Sequence, residues 1–353
     1  MEFRFAMLRL VTVGALYITV IIASVFNILF PTGANNISAT LNSATANIDS
    51  LQKGEKTDES TNENPQENPQ AEESSQQSEA ASLPAASSGS VLGKVIEKFI
   101  TPYTANTSYN NVYIKNSTGL DIDIKALLSS PLGYKIEKNK NPQVLIMHTH
   151  TTESFMTESR DYYTDLDLTR TTDSNKNMVT LGNIVAEKLN SAGIVTLHDT
   201  TMHDYPAYSG SYSRSAETVC SYLKKYPDIK IVLDLHRDAI AQNDTDKVKI
   251  TADIEGKKAA QVMLVMGAQS GSVKNFPNWK ENLKLAVRLQ QNLEVMYPSL
   301  ARSISLVPKN YNQSLSSGSM LIEIGTDGNT LEEVSYSAEL LGNALVSTFN
   351  NIG

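Results

Sequence analysis

Apolar residues along the second half of the chain follow two alternating rhythms. Six short runs of strand length fall at 143–148, 193–198, 229–236, 260–267, 304–309 and 319–325. Between them, apolar positions recur three or four apart. Met178, Leu181, Val185 and Leu189 share one helical face, Trp279, Leu283, Ala286 and Leu293 another, and Leu331, Val334, Ala338, Leu341, Leu345 and Phe349 a third. Thr330-Leu-Glu-Glu333 opens the last helix with a capping box, which assigns Glu333 to the helix start rather than to chemistry. Strands alternating with helices predict an α/β three-layer sandwich over 141–353, with a mixed, mostly parallel sheet of about six strands flanked by helices. Before it, Val91 to Ile100 reads as a short amphipathic helix, and the Tyr113-Ile, Ile122-Asp-Ile and Leu127-Leu pieces complete a small accessory segment, 91–140.

The amino-terminal pattern differs. Leu10 to Phe30 is a 21-residue run without a charge, long enough as a helix to cross a hydrocarbon core of ~30 Å. Arg4 and Arg9 precede it, so the positive-inside rule keeps residues before it in the cytoplasm and puts everything after Pro31 outside. A cleaved signal peptide has a shorter apolar region, ~7–15 residues, and a small-residue cleavage site; Ser24 to Phe30 offers no clean one. Residues 1–31 are therefore expected to be a cytoplasmic flank and a retained anchor in a single-pass membrane protein whose folded domain, 141–353, is extracytoplasmic. From 32 to 90 polar residues dominate and Glu63-Asn-Pro-Gln-Glu-Asn-Pro-Gln70 nearly repeats, the composition of a disordered acidic tether. As a flexible coil it would reach roughly 40–45 Å.

Charge adds little beyond that tether. Of the net charge of −8, residues 51–90 contribute −6, from eight acidic side chains against two lysines. No basic stripe points to a nucleic acid. The single cysteine, Cys220, cannot form an internal disulfide and sits in a helical stretch beside Val219, Tyr222 and Leu223, as a core residue would.

Candidate chemistry gathers where three strands end. Val144 to Met147 runs into His148-Thr-His-Thr-Thr-Glu-Ser154; Ile231-Val-Leu-Asp-Leu ends on His236; and Glu323 interrupts Met320-Leu-Ile-Glu-Ile324. In open α/β sheets a site forms where the carboxyl ends of strands share a crevice. A buried, ionised carboxylate is costly unless paired or near a cation, so Glu323 is expected either to form an ion pair or to act as general base and proton donor beside a metal-bound water. A hydrolytic zinc takes about three protein ligands. His150 and His236 supply two, and Glu153 is the favoured third, with Ser154 or the 173–177 loop as substitutes. His148 and Asp234 are expected to support the ligands, Asp234 by fixing the tautomer of His236. Arg237 and Asp238 would pair with each other, bind a substrate carboxylate or act in catalysis. His198, Asp199, His203 and Asp204 form a metal-type grouping, a substrate-facing loop near Tyr205, Tyr208 and Tyr212, or plain surface.

With these residues in place, the whole chain resembles the stage II sporulation protein P family of endospore-forming bacteria. The resemblance rests on His148 to Ser154, His203-Asp-Tyr-Pro-Ala-Tyr208, Leu233-Asp-Leu-His-Arg-Asp238, Tyr311-Asn-Gln313, Leu321-Ile-Glu-Ile-Gly325 and Asn329-Thr-Leu-Glu-Glu333. It implies a zinc-dependent peptidoglycan hydrolase, an N-acetylmuramoyl-L-alanine amidase with endopeptidase activity, acting with stage II sporulation proteins D and M at the sporulation septum and engulfing membrane. Arg237, His203, Asn312 and Gln313 become candidate substrate contacts. The catalytic part is similar to the broader zinc amidase family, where two histidines and a glutamate bind zinc and a later glutamate is catalytic. His150, His236 and Glu323 fall in the places of both histidines and the catalytic glutamate. The ligand glutamate of that family stands just before the first long helix, where this chain has Lys176-Asn177, so Glu153 is an assignment from this chain alone. Two alternatives stand beside the amidase: a wall-binding scaffold without catalysis, and a metallopeptidase acting only on stem peptides.

Overall fold

The computed structural model describes residues 89–138 and 140–352; the expected anchor at 10–30 and nearly all of the expected tether at 32–90 lie outside them. Among the described residues no helix is long and apolar enough to cross a membrane. The chain forms β1 (Val91–Lys98), β2 (Thr107–Tyr109), β3 (Val112–Asn116), α1 (Ile124–Ser129), β4 (Val144–Met147), β5 (Tyr162–Thr164), α2 (Met178–Ser191), β6 (Thr196–His198) and α3 (Ser211–Lys225). It continues through β7 (Ile231–Asp238), β8 (Lys247–Ile254), β9 (Lys257–Ala260), β10 (Val262–Gly267), α4 (Trp279–Met296), β11 (Ile304–Val307), β12 (Gly318–Thr326) and α5 (Leu331–Asn350).

The six expected strands and three expected helices form, but the main sheet is wider than six. It has eight strands in the order β2-β3-β11-β10-β12-β7-β4-β6. Its pairs are parallel except β10 with β12 and β2 with β3. Alternation along β4 sets the layers, because successive strand residues face opposite sides. Val144 and Ile146 join the larger core with Leu181 and Val185 of α2 and Leu341 of α5, whereas Leu145 and Met147 meet Val219 of α3 on the other side.

A second sheet, β5-β1-β8-β9, was not foreseen. Val91 to Ile100 is not a helix: Val91, Leu92, Val95 and Ile96 mimic helical spacing, but the segment pairs antiparallel with β5 and parallel with β8, burying only Val95. The accessory segment is accordingly no separate flap, since β1 completes the second sheet and β3 extends the first. Two lysines of β8 are buried and paired. Lys247 stands 3.5 Å from Asp327, while Lys249 donates to Glu333 at 2.8 Å and lies 3.3 Å from Glu97. Glu333 also closes the expected capping box: its backbone N–H donates to Thr330 Oγ1, and Oε2 accepts from the Thr330 N–H.

Adjacent parallel β4, β7 and β12 end on one edge of the main sheet, which is the positional basis of the site. Register places Glu323 of β12 directly beside His236 of β7 and Asp234 beside Met147 of β4. A bulge follows Glu323, with Gly325 at φ 66° and no room for a Cβ, which would lie 2.9 Å from Ala260 and Val334 side-chain atoms.

Candidate functional site

His150 lies in the turn just beyond β4, while His236 and Glu323 point from neighbouring strands to the α3 side of the sheet, the side opposite Leu235 and Ile322 of the larger core. The His150 and His236 rings are 5.2 Å apart and nearly perpendicular. Glu153 completes the group, with Oε2 3.7 Å from His236 Nδ1 and accepting a 3.1 Å bond from the Arg237 N–H. Asp234 does share a face with His236. Its Oδ1 stands 2.8 Å from His236 Nε2, yet the approach is off the donor direction, and that nitrogen is left without a hydrogen bond. The Asp234 carboxylate is instead held by the backbone N–H and hydroxyl of Thr149, at 2.8 and 2.7 Å.

Buried polar atoms without partners are rare in folded proteins, and each calls for an explanation. Three of them cluster here: His150 Nδ1, His236 Nε2 and Glu323 Oε2. Two imidazoles, each with a ring nitrogen lacking an aligned hydrogen bond, among three carboxylates form a donor set that fits a divalent metal. Among the described residues no three His, Cys, Asp or Glu side chains are closed into a metal-binding group; the fit rests on the orphaned atoms and donor chemistry, with His236 leaning toward Asp234.

The electrostatics agree with that reading. Burial lowers His150 to about 4, leaving its ring neutral and its lone pair available. Burial opposes protonation of His236 as well, but Asp234, then Glu153 and Glu323, raise it to about 9, so a proton occupies a pocket that favours positive charge. Burial, followed by Asp238, raises Glu323 to about 8. Its carboxyl is thus disposed to exchange a proton near neutrality.

Other expected residues take different places. His148 is fully buried, bonded to the Leu235 carbonyl and to His198, so it supports the strand end from behind. Ser154 donates to the Leu168 carbonyl; Asp173 caps its own turn, and Asn177 caps α2. None of these substitutes is turned to the histidines. An isolated bridge joins Ser154 to Asn177, bringing Glu153 alongside the start of α2.

Three of the four candidate substrate contacts are spent on the protein. Arg237 is buried and donates to the carbonyls of Ser154, Thr169 and Asp238, while the Asp238 side chain pairs with Arg302 rather than with Arg237. His203 is buried between the His148 carbonyl and the Thr218 hydroxyl. Gln313 is buried against the backbone of Val265 and Gly267. Asn312, in left-handed backbone and half-buried, ties its turn to Tyr212 and Ser215 of α3. The His198–Asp204 stretch forms no metal grouping either, because His198 faces His148 and Asn183, Asp199 faces Thr201, and Asp204 faces Thr152 and Arg170. Cys220 is exposed, since the buried stripe of α3 is Ser211, Ser215 and Val219.

The walls were less legible. Tyr208 stacks on His150 at 4.6 Å and 14°, with its hydroxyl 3.2 Å from Nε2; Tyr212 meets the same ring edge-on, and Tyr311 packs against Tyr212. Arg170, which no motif singled out, lies 3.5 Å from Glu153 and pairs with Asp204. An open groove on the smaller sheet, lined by Leu92, Tyr162 and Asp246, contains no histidine and none of the orphaned atoms, so chemistry rather than concavity locates the site.

A family model described as Stage II sporulation protein P matches residues 23–346. The stage II sporulation protein P of Bacillus subtilis (strain 168) is 32% identical over 220 residues, 59% of this chain and 50% of that protein. The chain thus spans about half the length of this curated relative. Among solved structures, the CwlD amidase from Clostridioides difficile, in complex with the GerS lipoprotein, is similar at 10% identity over 60% of this chain and 98% of that one, with a TM-score of 0.37. The N-acetylmuramoyl-L-alanine amidase from Clostridium difficile 630 is similar at 12% identity over 61% and 100%, with a TM-score of 0.36.

Proposed function

The chain belongs to the stage II sporulation protein P family, and from that premise we propose that it is a membrane-anchored peptidoglycan hydrolase cleaving the amide between N-acetylmuramic acid and L-alanine. The observation that carries the chemistry is the register pairing of His236 with Glu323, beside His150, with a buried polar atom left unpartnered on each.

His150, His236 and Glu153 are the residues that would hold zinc. Bound there, the ion would polarise the scissile carbonyl and lower the pKa of a water toward neutrality. Glu323 takes the proton of the attacking water on its carboxylate and returns it to the departing L-alanine amine. A carboxyl raised by burial suits both halves of that transfer. Thr149 holds Asp234, whose carboxylate stands against His236, and Tyr208 and Tyr212 pack against His150 on the other side of the site.

Action at the sporulation septum and engulfing membrane, anchorage through residues 10–30, cooperation with stage II sporulation proteins D and M, and endopeptidase cleavage of cross-links belong to the same proposal. Digesting purified peptidoglycan with and without a chelator, with mass analysis of products, tests its centre. Release of stem peptides beginning at free L-alanine, abolished by chelation and restored by zinc, is the expected result. Undiminished release after metal removal rejects the zinc mechanism, and products that retain L-alanine on the sugar identify a stem-peptide peptidase instead.

A further inference from the structure

Resting on this zinc reading, we infer that Arg170 is a positioning residue that sets the two ligand candidates outside the sheet, Glu153 and His150, through two separate contacts. Both ligands lie in the 148–154 stretch beyond β4, where no strand ladder fixes side-chain direction. Arg170 is attached to that stretch along the backbone, by an isolated bridge to Glu153 and by the Thr171 N–H donating to the Thr152 carbonyl at 2.8 Å.

Its guanidinium then works in two directions. Nη2 lies 3.5 Å from Glu153 Oε1, so it acts on the first ligand candidate directly. Cζ lies 4.7 Å from the centroid of Tyr208, whose ring also stacks on His150 and whose hydroxyl approaches His150 Nε2, leaving Nδ1 as the free atom. A planar cation can stack and pair at once, whereas an ammonium supplies only a point charge. Nη1 pairs with Asp204, which accepts from the backbone N–H and hydroxyl of Thr152, so the segment between the ligands is clamped as well. With two carboxylates against it, Arg170 is committed to the protein rather than available to an anionic substrate.

Partners that orient metal ligands typically contribute about 10–100-fold to metal affinity. The test is zinc affinity of the full chain in detergent, measured by competition with a chromogenic chelator, together with the thermal midpoint of the chelated chain. Arg170→Gln should bind zinc at least about 10-fold more weakly. Because that variant strands the buried Asp204 carboxylate, the paired variant Arg170→Gln with Asp204→Asn, which removes that stranded charge and leaves Glu153 beside His236, should show the same loss. A merely structural role would lower the midpoint and leave the zinc affinity of the folded fraction unchanged. Wild-type affinity in the paired variant overturns the inference. Absence of zinc binding by the wild-type chain overturns the metal reading and this inference together, so the two failures are distinguishable.

Discussion

Glu323 is a carboxyl held in an apolar strand, with one oxygen lacking any partner and its pKa raised by burial. No cation pairs with it, so the structural ion pair that would have explained its position is absent among the described residues. Glu323→Gln keeps the shape and removes the proton acceptor. Loss of general acid–base function typically costs roughly 10²–10⁴-fold, and turnover on peptidoglycan should fall by that order while wall binding persists. Unchanged cleavage would exclude the assigned role, and a wild-type chain that binds without cleaving would establish the scaffold alternative. Glu323 was legible because a charge inside an apolar run is anomalous in the sequence itself. Arg170 was not, because nothing local distinguishes an arginine that clamps a ligand from one that is solvated.

At the scale of elements, helix α2 is shaped by the histidines beneath it. His148 and His198 face each other with Nε2 atoms 2.9 Å apart, so at most one carries a proton. Gly182 leaves the space they occupy: a Cβ there would fall 2.3 Å from His198 Nε2 and 2.8 Å from His148 Nε2. Gly182→Ala should therefore destabilise the protein despite its helix-favouring residue, by ~1–3 kcal/mol, the usual cost of overpacking. Chemical denaturation measures it, and an unchanged midpoint would mean that the histidine pair yields freely. Strand β8 offers the complementary lesson. Its Lys247-Val-Lys-Ile-Thr-Ala-Asp-Ile254 alternation is a strand pattern, but Lys247, Lys249 and Thr251 of its polar side are buried too, and only Asp327, Glu333 and Glu97, reached across the fold, explain why lysines are tolerated there.

For the whole molecule, the same histidine pair ties stability to pH. Burial lowers His198 to about 4, opposed by Asp199, and burial followed by His198 lowers His148 to about 3. Asn183 of α2 and His148, just beyond β4, are the groups facing His198. The unfolded chain takes up protons below pH 6.5 while the folded chain does not until about 4, so stability present above 6.5 is lost progressively as pH falls between these values. Denaturation midpoints of the chelated protein should show that decline, with a shallower slope in His198→Gln; equal slopes would remove His198 as a cause. The sequence by itself determined the α/β alternation and singled out the ends of β4, β7 and β12, with His150, His236 and Glu323, as the candidate place of chemistry, because hydrophobic periodicity and an ionisable residue inside it are local signals. Only the tertiary structure decided that His236 and Glu323 share a register position, that Arg237, His203 and Gln313 face the protein, that Val91 to Lys98 is a strand, and that Arg170 reaches Glu153 and Tyr208. Those facts depend on which distant groups meet across space, and the partner that satisfies a buried polar atom is not encoded in its neighbours along the chain.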